Sequence, residues 1–434
     1  MSNARKAAVR LLTKLDENSA YSNILLDKEL DKYKLDERDK HFATALFYGC
    51  IERRLTLDSI IDRRLVRRAD KLSNEVRNIL RCGIYQLLYM DSVPDHTAVD
   101  ESVKLVNTKK NLALPGFVNG LLRGFVRDGK AIPEGRNDAE KLMYEYSCPM
   151  WLVDKWVSEY GITTAKEMLR SSVGRPPVTA RVNTTKVTPD KLCEQLRSEG
   201  IDCEPASFPE GCIKILGGSP ENALAYKQGL FHVQDISSQL CCKALDPQAG
   251  MTVLDVCSAP GGKSFTIAEL MENKGSLLAF DLHENRVRLI RSGAARLGLD
   301  IISAQPNDAK KLREDMPEAD RVLCDVPCSG LGVIRRKPEI KYKSPEEFAR
   351  LPEIQYDILS VSSGYVRQGG VLVYSTCTLS RAENDDVVDR FLSEHNDFAP
   401  APIGGAFGDE FKASITPGRF DSDGFFIAKL IRKN

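Results

Sequence analysis

The chain has 434 residues, of which 42% are hydrophobic and 28% charged, a composition typical of a globular protein and a length that favours two or three domains. No stretch of about eighteen apolar residues occurs and the first residues predict an amphipathic helix, so the sequence excludes a membrane span and a secretory signal and favours a cytoplasmic location. The formal net charge of zero argues against indiscriminate binding to nucleic acids.

The cysteine and histidine residues predict no metal site. Twelve cysteines are scattered along the chain without a CxxC pair, and the five histidines lie far apart in the sequence. In a reducing compartment most of these cysteines should be free, buried thiols.

Residues 1–130 predict a helical domain. Apolar residues recur at three- and four-residue spacing, for example in KHFATALFYGCIERRLTLDSIIDRRL and NEVRNILRCGIYQLLYM. The region carries 24 Lys and Arg against 18 Asp and Glu. Ordinary helix surfaces explain this small excess as well as a binding face does.

Three further regions follow. Residues 131–171 combine a Gly- and Pro-containing linker with a helical stretch, and residues 172–238 place strand-like segments around the helix TPDKLCEQLRSEG, which predicts a small α+β subdomain. From 239 to 434 strand-like and helical segments alternate. Such alternation indicates a doubly wound α/β domain with a parallel sheet, whose ligands bind at the carboxyl ends of the strands.

A glycine-rich turn follows the first strand of this α/β domain. In DVCSAPGGKS, residues 255–264, the glycines let backbone N–H groups approach a ligand closely. A phosphate-binding loop would need glycine where this chain has Cys257, and the dinucleotide pattern GxGxxG is absent. The remaining nucleoside-like ligand commonly bound at such a turn is S-adenosylmethionine.

Carboxylates at strand ends support that ligand. Asp281 ends the second strand, where it can accept from both ribose hydroxyls, and Asp308 is placed to accept from the adenine amino group. Asp325 ends the fourth strand, next to the expected sulfonium methyl; with Asp255 these make four carboxylates on consecutive strands. Lys263 is interpreted as attracting the methionine carboxylate, with capping of its own helix as the alternative.

Two cysteines are expected at the tips of neighbouring strands. Cys328 follows the fourth strand in DVPCSG and Cys377 follows the fifth in VLVYSTCT, whereas Cys324 within its strand should be structural. Such a pair suits methylation of a pyrimidine at C5, in which one thiolate adds to C6 and a second group assists release once the C5 proton has left. Position alone leaves open which cysteine has which role.

Methylation of adenine N6 is the main alternative on such a scaffold. That chemistry typically uses an Asp/Asn-Pro-Pro-aromatic turn after the fourth strand. This chain has Asp325-Val326-Pro327-Cys328, in which a thiol stands where the aromatic residue would be. The turn therefore favours a pyrimidine substrate.

Several of these segments resemble the NOL1/NOP2/Sun family of RNA cytosine-C5 methyltransferases and, within it, the bacterial Fmu/Sun (RsmB) branch that acts on small-subunit rRNA. The resemblance rests on DVCSAPGGKS, FDLHENR, DVPCSGLGVIRRKPEIK and YSTCTLSRAEN, and extends to VQDISSQL. Upstream, YQLLYMDSVPDHTAVDESV and GFVNGLLR resemble the part of those enzymes that is similar to the antitermination factor NusB. The resemblance implies an all-α NusB-like domain followed, after the α+β subdomain, by a Rossmann-like class I methyltransferase domain.

Site residues are carried over by motif. The resemblance implies that Cys377 is the nucleophile and that Cys328 assists product release. It implies S-adenosylmethionine as the cofactor, with Arg286 as a further candidate contact. The implied cofactor-binding residues are Cys257, Ser258, Ala259, Pro260, Gly261, Gly262, Lys263, Asp281, Asp308 and Asp325. Ser258 and Asn307 stand where the family commonly has alanine and glycine.

The implied substrate is cytosine 967 of 16S rRNA, in naked or early-assembly small-subunit RNA. The segment VIRRKPEIKYK after the Cys328 turn predicts phosphate contacts from Arg335, Arg336 and Lys341, with Tyr342 as a stacking residue. No DNA or membrane partner is implied, and the chain is expected to act as a monomer. The alternative is an RNA-binding ribosome-assembly factor with an inactive methylase fold, although both thiols and the cofactor loop are intact.

Overall fold

Helices form the first part of the chain. The computed structural model describes residues 2–18, 26, 30–65, 72–106 and 112–434, and its first unit comprises the described residues up to Gly174 together with Ile334–Lys343. The helices are α1 (Ser2–Asn18), α2 (Glu37–Glu52), α3 (Arg54–Arg64), α4 (Asn74–Tyr89), α5 (Asp95–Lys104), α6 (Leu114–Arg127), α7 (Asp138–Glu145) and α8 (Met150–Ser171). The predicted helical character of this region is confirmed. α8 begins after Pro149 and is interrupted at Gly161, which has a φ of 78°.

The apolar stripes of these helices meet in one core. The buried side chains of α1 recur every three or four residues, and α4 buries a face that includes Ile79, Leu80 and Leu87. α4 is capped by Ser73, whose hydroxyl accepts a hydrogen bond from the N–H of Val76. None of the helices in the described ranges is long and apolar enough to span a membrane.

A short segment from much later in the sequence completes this helical unit. Residues Pro338–Tyr342 form a 3₁₀ helix, and Ile340 is buried while Tyr342 packs against the helical core. The Tyr342 hydroxyl donates to the carbonyl oxygen of Glu52 over 3.1 Å. The segment is therefore an integral part of the first unit.

The second unit begins with a small antiparallel sheet. Its strands are β1 (Val178–Val182), β2 (Asp202–Pro205), β3 (Cys212–Gly217) and β4 (Phe231–Val233), in the order β2-β3-β1-β4. The helices α9 (Pro189–Ser198) and α10 (Leu224–Lys227) belong to this part of the chain. The predicted α+β subdomain is confirmed, but β2 was not predicted, because four residues with one buried side chain give no alternating pattern.

The main sheet has eight strands and carries the candidate site. Its strands are β5 (Thr252–Asp255), β6 (Ser276–Asp281), β7 (Ile302–Pro306), β8 (Ala319–Asp325), β9 (Val366–Thr376), β10 (Phe398–Pro400), β11 (Lys412–Ile415) and β12 (Phe425–Arg432), and its helices are α11 (Ile236–Leu245), α12 (Gly262–Leu270), α13 (Glu284–Leu297), α14 (Leu351–Ser363) and α15 (Asp385–Glu394). The strand order is β10-β12-β9-β8-β5-β6-β7, and β11 also pairs with β12. Five neighbouring strands of this sheet, β9, β8, β5, β6 and β7, are parallel. The predicted doubly wound α/β fold is confirmed.

The last three strands differ from the expectation of a purely parallel sheet. β12 runs antiparallel to β9, and β10 and β11 both pair antiparallel with β12. The two short strands lie within segments that the sequence left without a strand. They extend the sheet beyond β9 and leave the carboxyl ends of β5 to β9 at one common edge.

Candidate active site

Two cysteine side chains meet at the carboxyl ends of the neighbouring parallel strands β8 and β9. Asp325 lies opposite Ser375 in their register. Cys328 comes three residues after Asp325 and Cys377 two residues after Ser375, and their Sγ atoms are 3.3 Å apart. Both thiols are partly exposed, whereas Cys324 is fully buried within β8. The structure thus brings together the two thiols that the sequence places at adjacent strand tips.

Cys328 holds its proton more tightly than an ordinary thiol. The hydrogen bond with Cys377, together with burial, raises the pKa of Cys328 well above its ordinary value. Cys328 therefore favours its S–H form, which can donate a hydrogen bond to a neighbouring thiolate. Since the thiolate is the nucleophilic form of cysteine, this arrangement favours Cys377 as the attacking group.

Hydroxyl side chains on either side of Cys377 fix the tip of β9. Thr376 Oγ1 donates to Asn384 Oδ1 over 2.6 Å, and Asn384 Nδ2 donates to the carbonyl oxygen of Thr378 over 3.0 Å. All three side chains are fully buried. The carbonyl oxygen of Cys377 accepts from the N–H of Gly332 over 3.0 Å. The cysteine backbone is therefore held on both sides while its sulfur stays partly exposed.

An ion pair lies beside the thiols. Lys263 Nζ donates to Asp325 Oδ2 over 2.8 Å, and Ser375 Oγ donates to Asp325 Oδ1 over 2.9 Å. Burial opposes the charged form, but the Asp325 carboxylate raises the pKa of Lys263 above its ordinary value. Neither sequence interpretation of Lys263 included this partner. The cation instead ties the glycine-rich turn to the end of β8.

The glycine-rich turn, residues 257–263, joins β5 to α12. Gly261 has a φ of 112°, and a Cβ atom there would lie 2.4 Å from the ring of Phe265, so only glycine fits. The N–H of Ser258 donates to the carbonyl oxygen of Phe280 over 2.7 Å, which fixes the turn against β6. Because α12 starts directly after Gly261, its first N–H groups have no partners inside the helix. The turn thus offers backbone donors at the edge where the strands end.

The carboxylates of consecutive strands have different surroundings. Asp255 is fully buried, accepts from the hydroxyl of Ser264 over 2.6 Å, and has its pKa raised by burial to about 7. Asp255 therefore supports the turn from inside the core. It does not belong with the ligand-facing carboxylates, where the sequence analysis had placed it. Asp281 pairs with Arg286 over 2.8 Å, and Asp308 follows β7 with its Oδ1 accepting from the N–H of Lys310.

Arg286 connects two parts of the predicted cofactor site. Besides its ion pair with Asp281, its Nη2 donates to the carbonyl oxygen of Ala259 over 2.8 Å. The side chain is about half exposed. The guanidinium group therefore fixes the turn relative to the end of β6.

The basic segment after the Cys328 turn corrects one prediction. Lys341 is 1% exposed, and its Nζ donates to the carbonyl oxygens of Glu52 and Tyr146. The predicted contact with RNA phosphates is wrong for Lys341, because its side chain is enclosed in the helical unit. Tyr342 is half-buried, and its stacking on a base stays a prediction. No local pattern in VIRRKPEIKYK signals that Lys341 is buried, because its partners Glu52 and Tyr146 lie far away along the chain. Arg335 and Arg336 are half-buried, and their contact with RNA stays a prediction.

A buried carboxylate behind Cys328 was also missed. Glu383 accepts hydrogen bonds from Ser329 and Gln355, residues that lie 54 and 28 positions away along the chain. Contacts over such separations leave no local pattern in a sequence. Among the residues that the structure describes, no group of three or more His, Cys, Asp or Glu side chains is arranged to hold a metal ion.

Comparisons with known families divide the chain into three parts. Residues 2–127 match the NusB family, and residues 148–220 match the ferredoxin-like domain of RsmF/B-like methyltransferases. Residues 242–431, which include the whole candidate site, match the family described as 16S rRNA methyltransferase RsmB/F.

Curated relatives match over nearly the full length. The chain is 39% identical to the probable ribosomal RNA small subunit methyltransferase B of Bacillus subtilis strain 168, covering 99% of this chain and 98% of the relative. It is 30% identical to the ribosomal RNA small subunit methyltransferase B of Photorhabdus laumondii, covering 96% of each chain.

Solved structures share the fold. The crystal structure of PH0851 has a TM-score of 0.83 at 24% identity and covers 99% of this chain and 98% of its own. NSun6 from Pyrococcus horikoshii, solved with SFG, has a TM-score of 0.59 at 22% identity and covers 66% of this chain and 98% of its own. The curated relatives, which are 39% and 30% identical over nearly the full length, show that the chain belongs to the RsmB/F family of 16S rRNA methyltransferases.

Proposed function

We propose that this protein transfers a methyl group from S-adenosylmethionine to C5 of a cytosine in 16S rRNA, through a covalent bond between Cys377 and C6 of the base. The observation that carries the proposal is the 3.3 Å separation of the Cys328 and Cys377 sulfur atoms at the tips of β8 and β9. The names of the curated relatives support ribosomal RNA as the methyl acceptor.

Separate roles for the two thiols suit the two halves of the reaction. The Cys377 thiolate forms a bond to C6, which pushes electron density to C5 and makes that carbon nucleophilic. After methylation C5 loses its proton to solvent water, the C5–C6 double bond re-forms, and the S–C6 electron pair returns to Cys377. The S–H group of Cys328 donates to the departing sulfur and so assists release.

We assign Asp325 to the edge of the base, because it lies opposite Ser375, two residues before Cys377. Its two oxygens already accept from Ser375 and Lys263, and each carboxylate oxygen has capacity for a further donor. The exocyclic amino group of cytosine supplies such a donor. The side chain is 26% exposed, which leaves it open to a base but screened from bulk water.

The residues at the strand edge fit S-adenosylmethionine. The first N–H groups of α12 have no partners inside the helix and can donate to a ligand. Asp281 and Asp308 lie at the ends of adjacent strands, where ribose and adenine donors would need acceptors. We assign Cys257–Lys263, Asp281, Asp308 and Asp325 to this cofactor, which supplies the electrophilic methyl group. The complex of Pyrococcus horikoshii NSun6 with SFG is consistent with a ligand of this kind on this fold.

The substrate is proposed to be small-subunit RNA that is still free or at an early stage of assembly, with cytosine 967 as its target. A base must leave its stack for C5 to reach a buried methyl donor, and single-stranded or flexible RNA allows this at the least cost. The NusB-family region, residues 2–127, is assigned to RNA binding. We propose that the protein acts as a cytoplasmic monomer.

The proposal is tested with purified full-length protein, labelled S-adenosylmethionine and a naked small-subunit RNA transcript. The native protein should label the RNA, and bisulfite mapping should place 5-methylcytosine at one position. Cys377→Ala should lose methyl transfer by at least about 10³-fold, because no nucleophile remains. Cys328→Ala should accumulate a protein–RNA complex that resists denaturant.

Cys324→Ala is the matched control, since this thiol belongs to the same strand end but is fully buried in the core. It should retain methyl transfer and show no excess complex. RNA labelling that survives Cys377→Ala, or labelled purine in place of cytosine, would contradict the proposal. RNA binding without any methyl transfer would favour the assembly-factor alternative.

A further inference from the structure

A carboxylate that the proposed chemistry does not use is buried directly behind the Cys328 turn. Glu383 is 2% exposed. Its Oε1 accepts from the Ser329 hydroxyl over 2.6 Å, and its Oε2 accepts from the Ser329 N–H over 2.9 Å and from Gln355 Nε2 over 3.0 Å. Both oxygens are thus engaged by groups next to Cys328.

These contacts extend to both thiol-bearing turns. Gln355 Nε2 also donates to the carbonyl oxygen of Pro327 over 2.9 Å. Pro327 before Cys328 and Ser329 after it are therefore both held by the hydrogen-bonded Gln355–Glu383 pair. The Ser329 and Thr378 hydroxyls are 2.7 Å apart. Because the Ser329 proton goes to Glu383, Thr378 must donate to Ser329. One buried network therefore spans the residues that follow each reactive cysteine.

We propose that Glu383 is the positioning residue for the release step, since its buried carboxylate holds the Pro327–Ser329 turn that presents the Cys328 thiol to Cys377. This inference rests on the proposed function, in which Cys328 assists the departure of Cys377 from the base. Without the carboxylate the turn loses its two hydrogen bonds from Ser329, Gln355 loses its anchor, and Cys328 is free to move away from the second sulfur.

The negative charge of Glu383 is a second feature that connects it to Cys328. The three donors to Glu383 are neutral, so they do not cancel its charge, and burying such a carboxylate costs more than burying an amide that accepts the same bonds. The charge of Glu383 acts on the neighbouring thiol of Cys328. After the hydrogen bond to Cys377 and burial, the Glu383 carboxylate also raises the pKa of Cys328, which keeps the donor proton on the releasing thiol.

In the release step the S–C6 bond breaks and its electron pair returns to the Cys377 sulfur. The C5 proton passes to water, and the C5–H electron pair restores the double bond. Cys328 contributes a hydrogen bond to the new thiolate and is neither oxidised nor consumed. Glu383 touches none of the reacting atoms and acts only through the position and protonation of Cys328.

The first test compares Glu383→Gln and Glu383→Ala with Cys328→Ala in the full-length protein, using the same RNA and cofactor. Both Glu383 variants should form the covalent complex and release it slowly, so that the complex at steady state rises about threefold to tenfold over the native level, more for Ala than for Gln. Methyl transfer in a single turnover should fall by less than turnover under excess RNA. A residue that only stabilises the fold would lower both rates together.

Asp320→Asn serves as the matched control. This carboxylate lies in the same strand as Asp325 but at its other end, where it accepts from the N–H of Thr252 over 2.8 Å. Loss of its charge should leave the amount of covalent complex at the native level. Melting temperatures of all variants identify any that fail to fold.

The second test measures the pH at which Cys328 reacts with iodoacetamide, by peptide mass spectrometry in a Cys377→Ala background. Adding Glu383→Gln should shift that reaction to lower pH by about one unit, because a nearby negative charge is removed. Tyr374 of β9 also interacts with the charge of Cys328, and this residue is unchanged in both proteins. This readout needs neither RNA nor turnover.

The outcomes separate the two proposals. If Cys328→Ala accumulates complex but both Glu383 variants resemble the native protein, the inference about Glu383 is wrong and the proposed function stands. If Cys328→Ala accumulates none, the assignment of release to Cys328 is wrong, and the role of Glu383 in release falls with it. If Glu383→Gln leaves the pH dependence of Cys328 alkylation unchanged, the charge of Glu383 does not control the protonation of Cys328.

Discussion

At the scale of single residues, a lysine in the helical unit is held in surroundings that its sequence context did not suggest. Lys341 Nζ donates to the carbonyl oxygens of Glu52 and Tyr146 over 2.7 and 3.4 Å. These dipoles offset only part of the cost of removing an ammonium group from water. Burial therefore lowers the pKa of Lys341 to about 8 from an ordinary value of 10.5.

This shift predicts a pH dependence of stability. Between pH 8 and 10.5 the folded chain binds fewer protons at Lys341 than the unfolded chain, so its contribution to stability rises with pH across that window and is constant below it. Lys341→Met should remove this rise, which amounts to about 3 kcal/mol over the full window. Thermal unfolding of both proteins from pH 7 to 10 measures it.

Lys337→Met is the control, because this lysine belongs to the same segment but is exposed. Its melting temperature should follow the native pH profile. A Lys341→Met protein whose stability rises with pH as steeply as that of the native protein would show that Lys341 does not titrate in this window.

At the scale of elements, the strand tips depend on close contacts between loops. Gly332, in the loop after Cys328, donates to the carbonyl oxygen of Cys377 and accepts from the N–H of Gly424. A Cβ at Gly332 would lie 2.1 Å from the oxygen of Gly424 and 2.9 Å from that of Cys377. Both neighbours are backbone atoms, so a side chain at Gly332 could enter only if the loop itself moved.

Gly332→Ala should therefore lower stability by about 1–3 kcal/mol and lower methyl transfer as well, because the backbone of Cys377 is displaced. Gly120→Ala offers a matched comparison within α6, where an added Cβ meets nothing within 4 Å. That variant should gain about 0.5–1 kcal/mol from helix propensity. Melting curves and rates of RNA labelling distinguish the two, and equal effects would contradict the close packing at Gly332.

The strands differ in how well they could be predicted from the sequence. β5, β6, β8 and β9 were predicted because each is a run of apolar residues that ends in a polar tip. β10 has three residues and β11 four, too few for a period to emerge, and both exist because β12 offers partners. The pairing of the two thiols could be predicted from strand order, whereas the Lys263–Asp325 and Glu383–Ser329 contacts could not, since they depend on side-chain packing.

At the scale of the whole molecule, charge is balanced overall while the predicted RNA contacts are few. Sixty-one basic residues match sixty-one acidic ones, so binding to RNA should depend on particular cations more than on a general positive field. With Lys341 enclosed, Arg335 and Arg336 are the remaining predicted phosphate contacts of the segment. The excess of six basic residues before residue 131 stays open to either interpretation.

Replacing both Arg335 and Arg336 by alanine should weaken binding of the RNA transcript and reduce the dependence of log K on log salt concentration by about 1 to 2, since each phosphate contact releases a counterion. Filter binding from low to moderate salt measures both quantities. Lys341→Met should leave the salt dependence unchanged. An unchanged slope in the double arginine variant would show that these side chains do not contact phosphate.

The late position of Ile334–Lys343 in the sequence has a consequence for biosynthesis. The helical unit ends at Gly174 in its first stretch, yet the carbonyl oxygens of Glu52 and Tyr146 meet their lysine donor only after residue 343 has left the ribosome. A nascent chain therefore carries an incomplete helical unit while some 160 further residues are translated. The helical unit is therefore completed only after the Cys328 turn has been synthesised.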